Sequence, residues 1–570
     1  MSGPRGSTLV AAGILLSRIA GLVRTVVLAV VLGGGAVTDA FSFAMRVPNL
    51  LQNLLGEGSL SASFIPVYAR LVEEDRRREA DALAGAVVAL LAAITAVIVL
   101  AGVLAARPLV WLFTSWESDP AKYELAITLT RITTIGIGFL VISAWCLGIL
   151  NSHRSFFLSY VAPVVWNLTQ VVVLVVAASL ALALDDVALA LAWAVVVGSL
   201  LQLLVQLPRV RSLAPDVRPN LAITDAVRDV LGRFGPAVGA RGVVQISSYA
   251  DLALAGLLVT GALSWYTFAL PLYLLPISLF GFSVAAAELA EMSRRSGDVA
   301  AVAERLQPAL RRVVVPAGFV TAAYVAAAPT FVDGLYGWLS RQFDRGLDQP
   351  TEVLTVALLL AALGLGLPAA MTARVTQNTL YSLGDVRGPA RIAIVRLVVS
   401  VTIGLVLIVQ LDWLTFDRST IDPADGPTAA ITSIEAFGDL PRLPPWDRVP
   451  AERRDTDLDA PGMAPHLGAV GLALAASVAA WTEWLLLRRR LRTRFGITFR
   501  SGWGRQVTAA GAAAGAVMAA SAVALDRVAV PGPIDAVAVG VLGLVVYVAG
   551  LWIQGIRSTG RPTEGLPFSA

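Results

Sequence analysis

Charge is scarce in this 570-residue chain: Asp, Glu, Lys and Arg make up 15% of it, against about a quarter in a soluble globular protein. Lysine occurs once, as Lys122, so the basic complement is nearly all arginine. The single cysteine, Cys146, lies in an apolar run, which excludes an internal disulfide framework. The two histidines, His153 and His466, are far apart, and no Cys/His cluster has metal-ligand spacing. Without a Walker sequence the chain does not couple ATP by itself, and neither a cofactor nor a nucleic-acid partner is expected. What is abundant is apolar: 56% of the residues are hydrophobic, and mean hydropathy is +0.73. They gather in long runs, the mark of membrane spans. The first run, Ser7–Val31, is interrupted by Arg18 and Arg24 and is followed by no small-residue cleavage site, so it reads as a span rather than a signal peptide.

A bilayer core about 30 Å thick needs roughly 20 mostly apolar helical residues. The runs that qualify are 8–32, 38–57 (continuing amphipathically to about 70), 81–106, 125–149, 157–180, 187–207, 236–259 and 262–290. The others are 313–335, 353–379, 391–411, 466–487, 506–525 and 534–556, fourteen in all. The expected fold class is therefore an all-α polytopic membrane protein.

Loop charge orients the spans, because cytoplasmic loops accumulate Lys and Arg. Arg70 and Arg76–Arg78 follow span 2, Arg209, Arg211 and Arg218 follow span 6, Arg294 and Arg295 follow span 8, and Arg488–Arg490 follow span 12. Odd-numbered loops are short or poor in basic residues. The longest, Asp412–Pro465, has eleven acidic residues against five arginines and many prolines, so an irregular external segment is expected. Every loop agrees with both termini being cytoplasmic.

The halves echo each other. Leu189–Ala192 in span 6 corresponds to Leu472–Ala475 in span 12, 283 residues on, and Arg209 and Arg211 match Arg492 and Arg494 at the same offset. Apolar helices ending in arginines can also look alike by chance. If the echo is structural, residues 1–208 and 226–490 form two six-helix lobes in parallel repeat, with 503–557 adding two helices and 558–570 a cytoplasmic tail. Transporters built this way place the substrate between bundles near the midplane.

Charges inside spans are expensive, about 2.5–3.5 kcal/mol each by insertion scales, and usually face a cavity or a partner. Span 1 carries Ser17-Arg18-x-x-Gly21-x-x-Arg24. Ser17, Gly21 and Arg24 share a helical face, with Arg18 beside it. Two guanidiniums, with Gly21 permitting close approach, suit a phosphate or pyrophosphate gripped by forked hydrogen bonds. The alternative is that Arg24 snorkels or pairs with Asp39 while Arg18 pairs internally. In span 2, Pro48 is expected to kink the helix, which with Asn49, Gln52 and Glu57 on its inner side suits a moving gate; the alternative for Glu57 is a pair with an arginine near the cytoplasmic rim. Asp39 reads as a cap at the outer interface or as a gate residue. In span 7, Arg241 and Asp251 lie on similar faces, either across a cavity or as a structural ion pair.

Several of these residues form a pattern. Ser17–Arg24, Gly33–Gly35, Thr38-Asp39-Ala40-Phe41, Pro48-Asn49-Leu50-Leu51 and Glu57-Gly58-x-x-Ser61 resemble the amino-terminal signature of the MurJ/MviN family. Those proteins are lipid II flippases of the multidrug/oligosaccharidyl-lipid/polysaccharide exporter superfamily. Further matches run in order to about residue 400, among them Leu150-Asn151, Ala162-Pro163 with Asn167, and Tyr381-Ser382 with Asp385. The resemblance implies two lobes around a cationic cavity lined by spans 1, 2, 7 and 8. It also implies transport of undecaprenyl-pyrophosphate-linked peptidoglycan precursor from inner to outer leaflet by alternating access, with no enzyme activity. On that footing Arg18 and Arg24 face the pyrophosphate, Asp39, Asn49 and Glu57 take gate or cavity positions, and Arg241 is a candidate replacement for cations the chain lacks. Partners are the polyprenyl-pyrophosphate glycolipid, membrane lipid and cell-wall synthesis proteins.

The chain also departs from the pattern. Gln52 stands where the family commonly has arginine, Thr25 where an acidic residue often follows, and Ala269-Leu270-Pro271-Leu272 with Leu274 replaces a charged stretch of span 8. Two other readings therefore stay open: a transport-inactive or different-substrate relative that regulates cell-wall assembly, and a small-molecule efflux antiporter that uses Asp251. Reporter fusions check the orientation: alkaline phosphatase inserted at residue 440 is active and the same enzyme fused after residue 570 is inactive.

Overall fold

Apolar helices form because hydrocarbon offers no partner for backbone N–H and C=O groups, so each span must satisfy its own. The structure, a computed structural model, describes residues 4–55, 57–114, 116–236, 238, 254–256, 258, 260–293, 298–343, 346–347, 349–385, 387–412, 414–416, 434–436, 467–498, 502–526 and 531–554. The first half comprises α1 (Pro4–Leu32), α2 (Ala36–Ala44), α3 (Arg46–Leu55), α4 (Glu57–Glu73), α5 (Arg77–Leu104), α6 (Ala106–Phe113), α7 (Pro120–Ser152), α8 (Phe156–Ser179) and α9 (Leu184–Leu213). The second half holds α10 (Ala262–Pro276), α11 (Ser283–Ser293), α12 (Val299–Val332), α13 (Trp338–Phe343), α14 (Pro350–Ser382), α15 (Arg387–Leu411) and α16 (Gly468–Phe495). Two final helices follow, α17 (Gly502–Asp526) and α18 (Gly532–Ile553).

Twelve described helices are long and apolar enough to cross a membrane, so the expected count of fourteen is not confirmed. Span 7 lies almost wholly outside the described residues, with Arg241 and Asp251. Span 2 is not one helix. It breaks at Met45, which separates α2 from α3, while residue 56, between α3 and α4, lies outside the described residues. The break precedes Pro48, which sits in the first turn of α3, where a missing N–H costs nothing. Pro48 therefore does not kink a continuous helix. A second irregularity lies in α12, where Ala327 leaves helical geometry (φ −138°, ψ 20°) just before Pro329. Most of the acidic segment 412–465 is outside the described residues. Its described part is not irregular: Leu414–Phe416 pairs antiparallel with Ile434–Ala436.

Caps follow local chemistry. Asp119 accepts from the backbone N–H of Lys122 (3.0 Å) with Pro120 at the first turn of α7, and Asp298 accepts from Ala301 (3.0 Å) at α12. Gly496 (φ +69°) closes α16 in the left-handed region.

Two helices are hubs. The span windows of α7 and α14 are each 72% buried, the highest among the described spans. Around α7 pack α2, α4, α5 and α9, and around α14 pack α10, α11, α12 and α16. Helix α1 joins the two groups, lying on α8 and on α10. The last two helices pair with each other and rest on α12, where Tyr547 donates to the Val315 carbonyl (2.6 Å).

At the basic end, the turn between α14 and α15 is tied to α16. Asp385, read from sequence as a simple turn residue, is buried. It accepts from Gly388 N–H (3.0 Å), from Arg490 at both its oxygens and from Arg494 (3.0 Å). The Arg490 hydrogen bonds hold its carboxyl below the usual carboxylate range against the opposing effect of burial. A lowered folded pKa contributes stability above the unfolded value, about 3.9, that is lost as pH falls through the folded value. Melting in detergent should therefore drop for wild type as pH goes below about 4, whereas Asp385→Asn starts lower and is flat across that window.

Candidate functional site

On α1, residues 17, 21, 24 and 28 recur at helical spacing and so face one way. All four line a cavity of about 350 Å³ between α1, α2, α3, α8, α9 and α10. Arg18 lines it from the adjoining stripe. Its guanidinium is exposed, while that of Arg24 is half-buried and stacks on Trp166, 5.1 Å from the ring centroid. Arg24 pairs with no described carboxylate, and Asp39 is paired with Lys122 instead. A third guanidinium belongs to Arg46 at the start of α3, whose Nη2 donates to Thr267 Oγ1 on α10 (3.0 Å). Asn49 lies one turn further along α3 and also lines the space.

Among the described residues the lining includes three arginines and no Asp or Glu. Charges of one sign, unscreened by a carboxylate in a low-dielectric wall, repel one another and favour an anionic guest. Around them are polar atoms without a protein hydrogen-bond partner: Arg24 Nε, Ser42 Oγ and Gln170 Oε1. Buried polar groups are normally satisfied, so these unmet atoms are a local cost of this state. The opposite wall is apolar, built from Leu270, Pro271, Leu274 and Leu275 of α10, and Leu28, Phe41, Leu174 and Leu191 line the rest. Gly21 lines the cavity but is not where α1 packs tightest on α8. A Cβ there would lie 3.9 Å from Asn167 Oδ1, an ordinary contact, whereas one at Gly13 would fall 2.8 Å from Tyr160 Cβ. Close approach of α1 and α8 is therefore set at Gly13.

The end poor in arginine is sealed. Asp39, in the first turn of α2, does not cap its own helix. Its carboxylate accepts from the backbone N–H groups of Gly261 and Ser264 (both 2.8 Å) and from Ser264 Oγ (2.5 Å), so it caps the N-terminus of α10. The Lys122 ammonium, from α7, reaches the same carboxylate at 2.9 Å and also donates to Thr260 Oγ1 (3.2 Å) over the face of Trp116 (4.1 Å). Both side chains of the pair are nearly inaccessible, at 1% and 2%. Beside this knot the end of α1 meets the loop before α14. Gly33 (φ +66°) and Gly346 (φ +78°) touch backbone to backbone, and a Cβ on Gly346 would strike the Ala29 carbonyl at 2.3 Å.

Of the residues singled out from sequence, Ser17, Arg18, Gly21, Arg24 and Asn49 come together in the cavity. Asp39 sits in the seal, and Gln52 is half-buried on α3 away from the lining. The Glu57 side chain, Arg241 and Asp251 lie outside the described residues. The roles of Lys122 and Thr267 escaped sequence reasoning, and Arg46 was legible only as one polar residue of span 2. The one signal for Lys122 was its being the sole lysine in a chain otherwise served by arginine.

Comparison with known proteins adds to this geometry. A family model described as lipid II flippase MurJ matches residues 28–421, which takes in Asp39, Arg46, Lys122 and Thr267 but not Arg18 or Arg24. A lipid II flippase MurJ of Burkholderia cenocepacia is 32% identical over 397 residues, covering 68% of this chain and 74% of the relative. A probable lipid II flippase MurJ of Haemophilus influenzae is 29% identical over 410 residues, 69% of this chain and 79% of the relative. Among solved structures, lipid II flippase MurJ in an inward closed conformation is similar at a TM-score of 0.69 and 19% identity, over 96% of this chain and all of that one. An inward-facing multidrug resistance transporter of the MATE family is similar at 0.62 and 14% identity, over 84% and 94%. At such identities the structural likeness concerns the fold.

The knot gives a stability prediction. Asp39→Asn leaves a buried ammonium without its counter-ion, a loss of about 3–5 kcal/mol, read as a lower melting temperature in detergent. Asp39→Asn with Lys122→Met recovers part of it, because the pair is removed together.

Proposed function

We propose, from the premise that the chain belongs to the lipid II flippase MurJ family, that it moves lipid II across the plasma membrane from the inner to the outer leaflet. It is a multi-pass membrane protein, and the reading places its basic loops and both termini in the cytoplasm. On that orientation the sealed end faces outward, and the cavity is held by Arg18, Arg24 and Arg46 for a headgroup that arrives from the cytoplasmic side.

The observation that carries the reading is a cavity with three guanidiniums and no carboxylate among its described lining residues. A diphosphate diester presents two negative charges and several acceptor oxygens. Arginine meets these with paired N–H groups in a planar fork, which a compact ammonium cannot do. Binding the anion offsets the mutual repulsion of the guanidiniums, so the loaded cavity is electrostatically closer to neutral than the empty one. Arg46 adds a link between the two helix groups: its hydrogen bond to Thr267 spans the cavity, and a phosphate that competes for Nη2 loosens that tie. Outward release then requires the Asp39 bonds to the α10 N-terminus to part, exposing the cavity on the other side. Alternating access follows from having only one end sealed at a time.

The apolar α10 wall favours one further reading, a family member that carries a different polyprenyl lipid. Leu270, Pro271, Leu274 and Leu275 offer that guest no hydrogen bond from their side chains. Flipping of defined lipids in reconstituted vesicles separates the two substrates.

Complementation tests the main reading. In cells depleted of their own flippase, the wild-type chain restores growth and prevents accumulation of lipid-linked precursor. The Arg18→Ala, Arg24→Ala double variant inserts normally but restores neither. Growth supported by that double variant would remove the arginine clamp from the mechanism.

A further inference from the structure

Lys122 has no part in the cavity, yet it is the one ammonium in the protein and is almost wholly inaccessible. Its surroundings are built for it: a carboxylate at 2.9 Å, a hydroxyl at 3.2 Å and an indole face at 4.1 Å satisfy a compact cation with several donors. These contacts tie four places in the chain. Asp39 is on α2, Lys122 on α7, Trp116 on the turn before α7, and Thr260 on the segment leading into α10.

The division of these contacts between the two helix groups matters. Asp39 and Lys122 both ride on the group around α7, which packs directly on α2. Thr260, Gly261 and Ser264 ride with α10, which packs on α14. When the groups separate at this end, Asp39 loses its three bonds to α10 but retains Lys122. When they close, the ion pair is already assembled, and the carboxylate is held aimed at the α10 N-terminus with its charge intact. An ionised cap at a helix N-terminus is stronger than a neutral one.

We propose that Lys122 is the positioning residue of the outer seal: it holds Asp39 in place so that α2 grips the α10 N-terminus, and thereby biases the transporter toward the state whose cavity is closed to the outside. The inference rests on the flippase reading for its orientation and adds to it a residue that sets the balance between the two access states. Lys122 acts through Asp39, so its effect depends on that carboxylate being present.

Cysteine accessibility tests this in cells. Cys146 is fully buried, so a single added thiol reports alone. Leu28→Cys places it on the cavity wall near the seal, and Leu174→Cys serves as a second reporter on α8. A membrane-impermeant maleimide is applied to intact cells and, as a check that each variant is folded, to inverted vesicles. With Lys122 present, the reporter is labelled from the inside and protected from the outside. Lys122→Met raises outside labelling on the order of tenfold, the scale of a typical coupling between sites, while inside labelling persists. Asp39→Asn raises it similarly, and Lys122→Met adds nothing further in the Asp39→Asn background. Lys122→Gln takes the place of Lys122→Met if the latter fails to insert, with the same expectation. Outside protection unchanged by loss of Lys122, or an effect that simply adds to that of Asp39→Asn, overturns the proposal. Its failure is distinct from failure of the flippase reading, which is judged by growth and precursor levels with the seal intact.

Discussion

A charge inside hydrocarbon must be paired, hydrated or matched by a ligand, and nearly everything notable in this molecule follows from which of these applies. Near the seal, Asp39 is matched by Lys122 and by three donors of α10, and the result is a closed joint. Some turns deeper, Arg18 and Arg24 meet no described carboxylate and face a shared space. The same scarcity of charge that makes the chain a membrane protein makes each remaining charge informative. Paired charges hold helices together, and those that line the cavity are where, on the proposed reading, an anion is received.

Interruption of helices serves the same division. A continuous span 2 would carry Asp39 and Arg46 on one rigid rod. The break at Met45 lets α2 present Asp39 to α10 and lets α3 begin with Arg46 against Thr267. Both contacts reach α10 across the cavity, one in the seal and one beside the binding space. Helix α10 is thus held by an anion at its N-terminus and by a cation further along. Apart from Thr267 its described wall contributes leucine and proline, so the described charges on the cavity belong to the first helix group.

The ties at the two ends differ in kind. The Asp385 knot with Arg490 and Arg494 joins elements within the second group and involves no residue of the first. It stabilises the fold without bearing on access. The Asp39 knot crosses between groups, so on the proposed mechanism a change of access state makes or breaks it. Equal-looking ion pairs therefore carry different consequences, set by which rigid bodies they join.

Much of this was legible in the residues themselves. Apolar runs of roughly 20 residues dictate transmembrane helices because backbone groups in lipid have no other partner. The spacing of Ser17, Gly21 and Arg24 dictates a polar stripe on α1 whatever surrounds it, and the motifs from Ser17 to Ser61 were enough to point to the family. The break at Met45 was not legible, since the run looks continuous and Pro48 is the more obvious suspect. Nor was the destination of each charge. Lys122 lies 83 residues from Asp39, and the α10 donors lie 222 and 225 residues away. Local pattern determined which residues are charged, helical and membrane-embedded. Only the tertiary structure decided which of those charges neutralise each other, because Coulomb attraction and hydrogen bonding act over a few ångströms of space and are indifferent to distance along the chain.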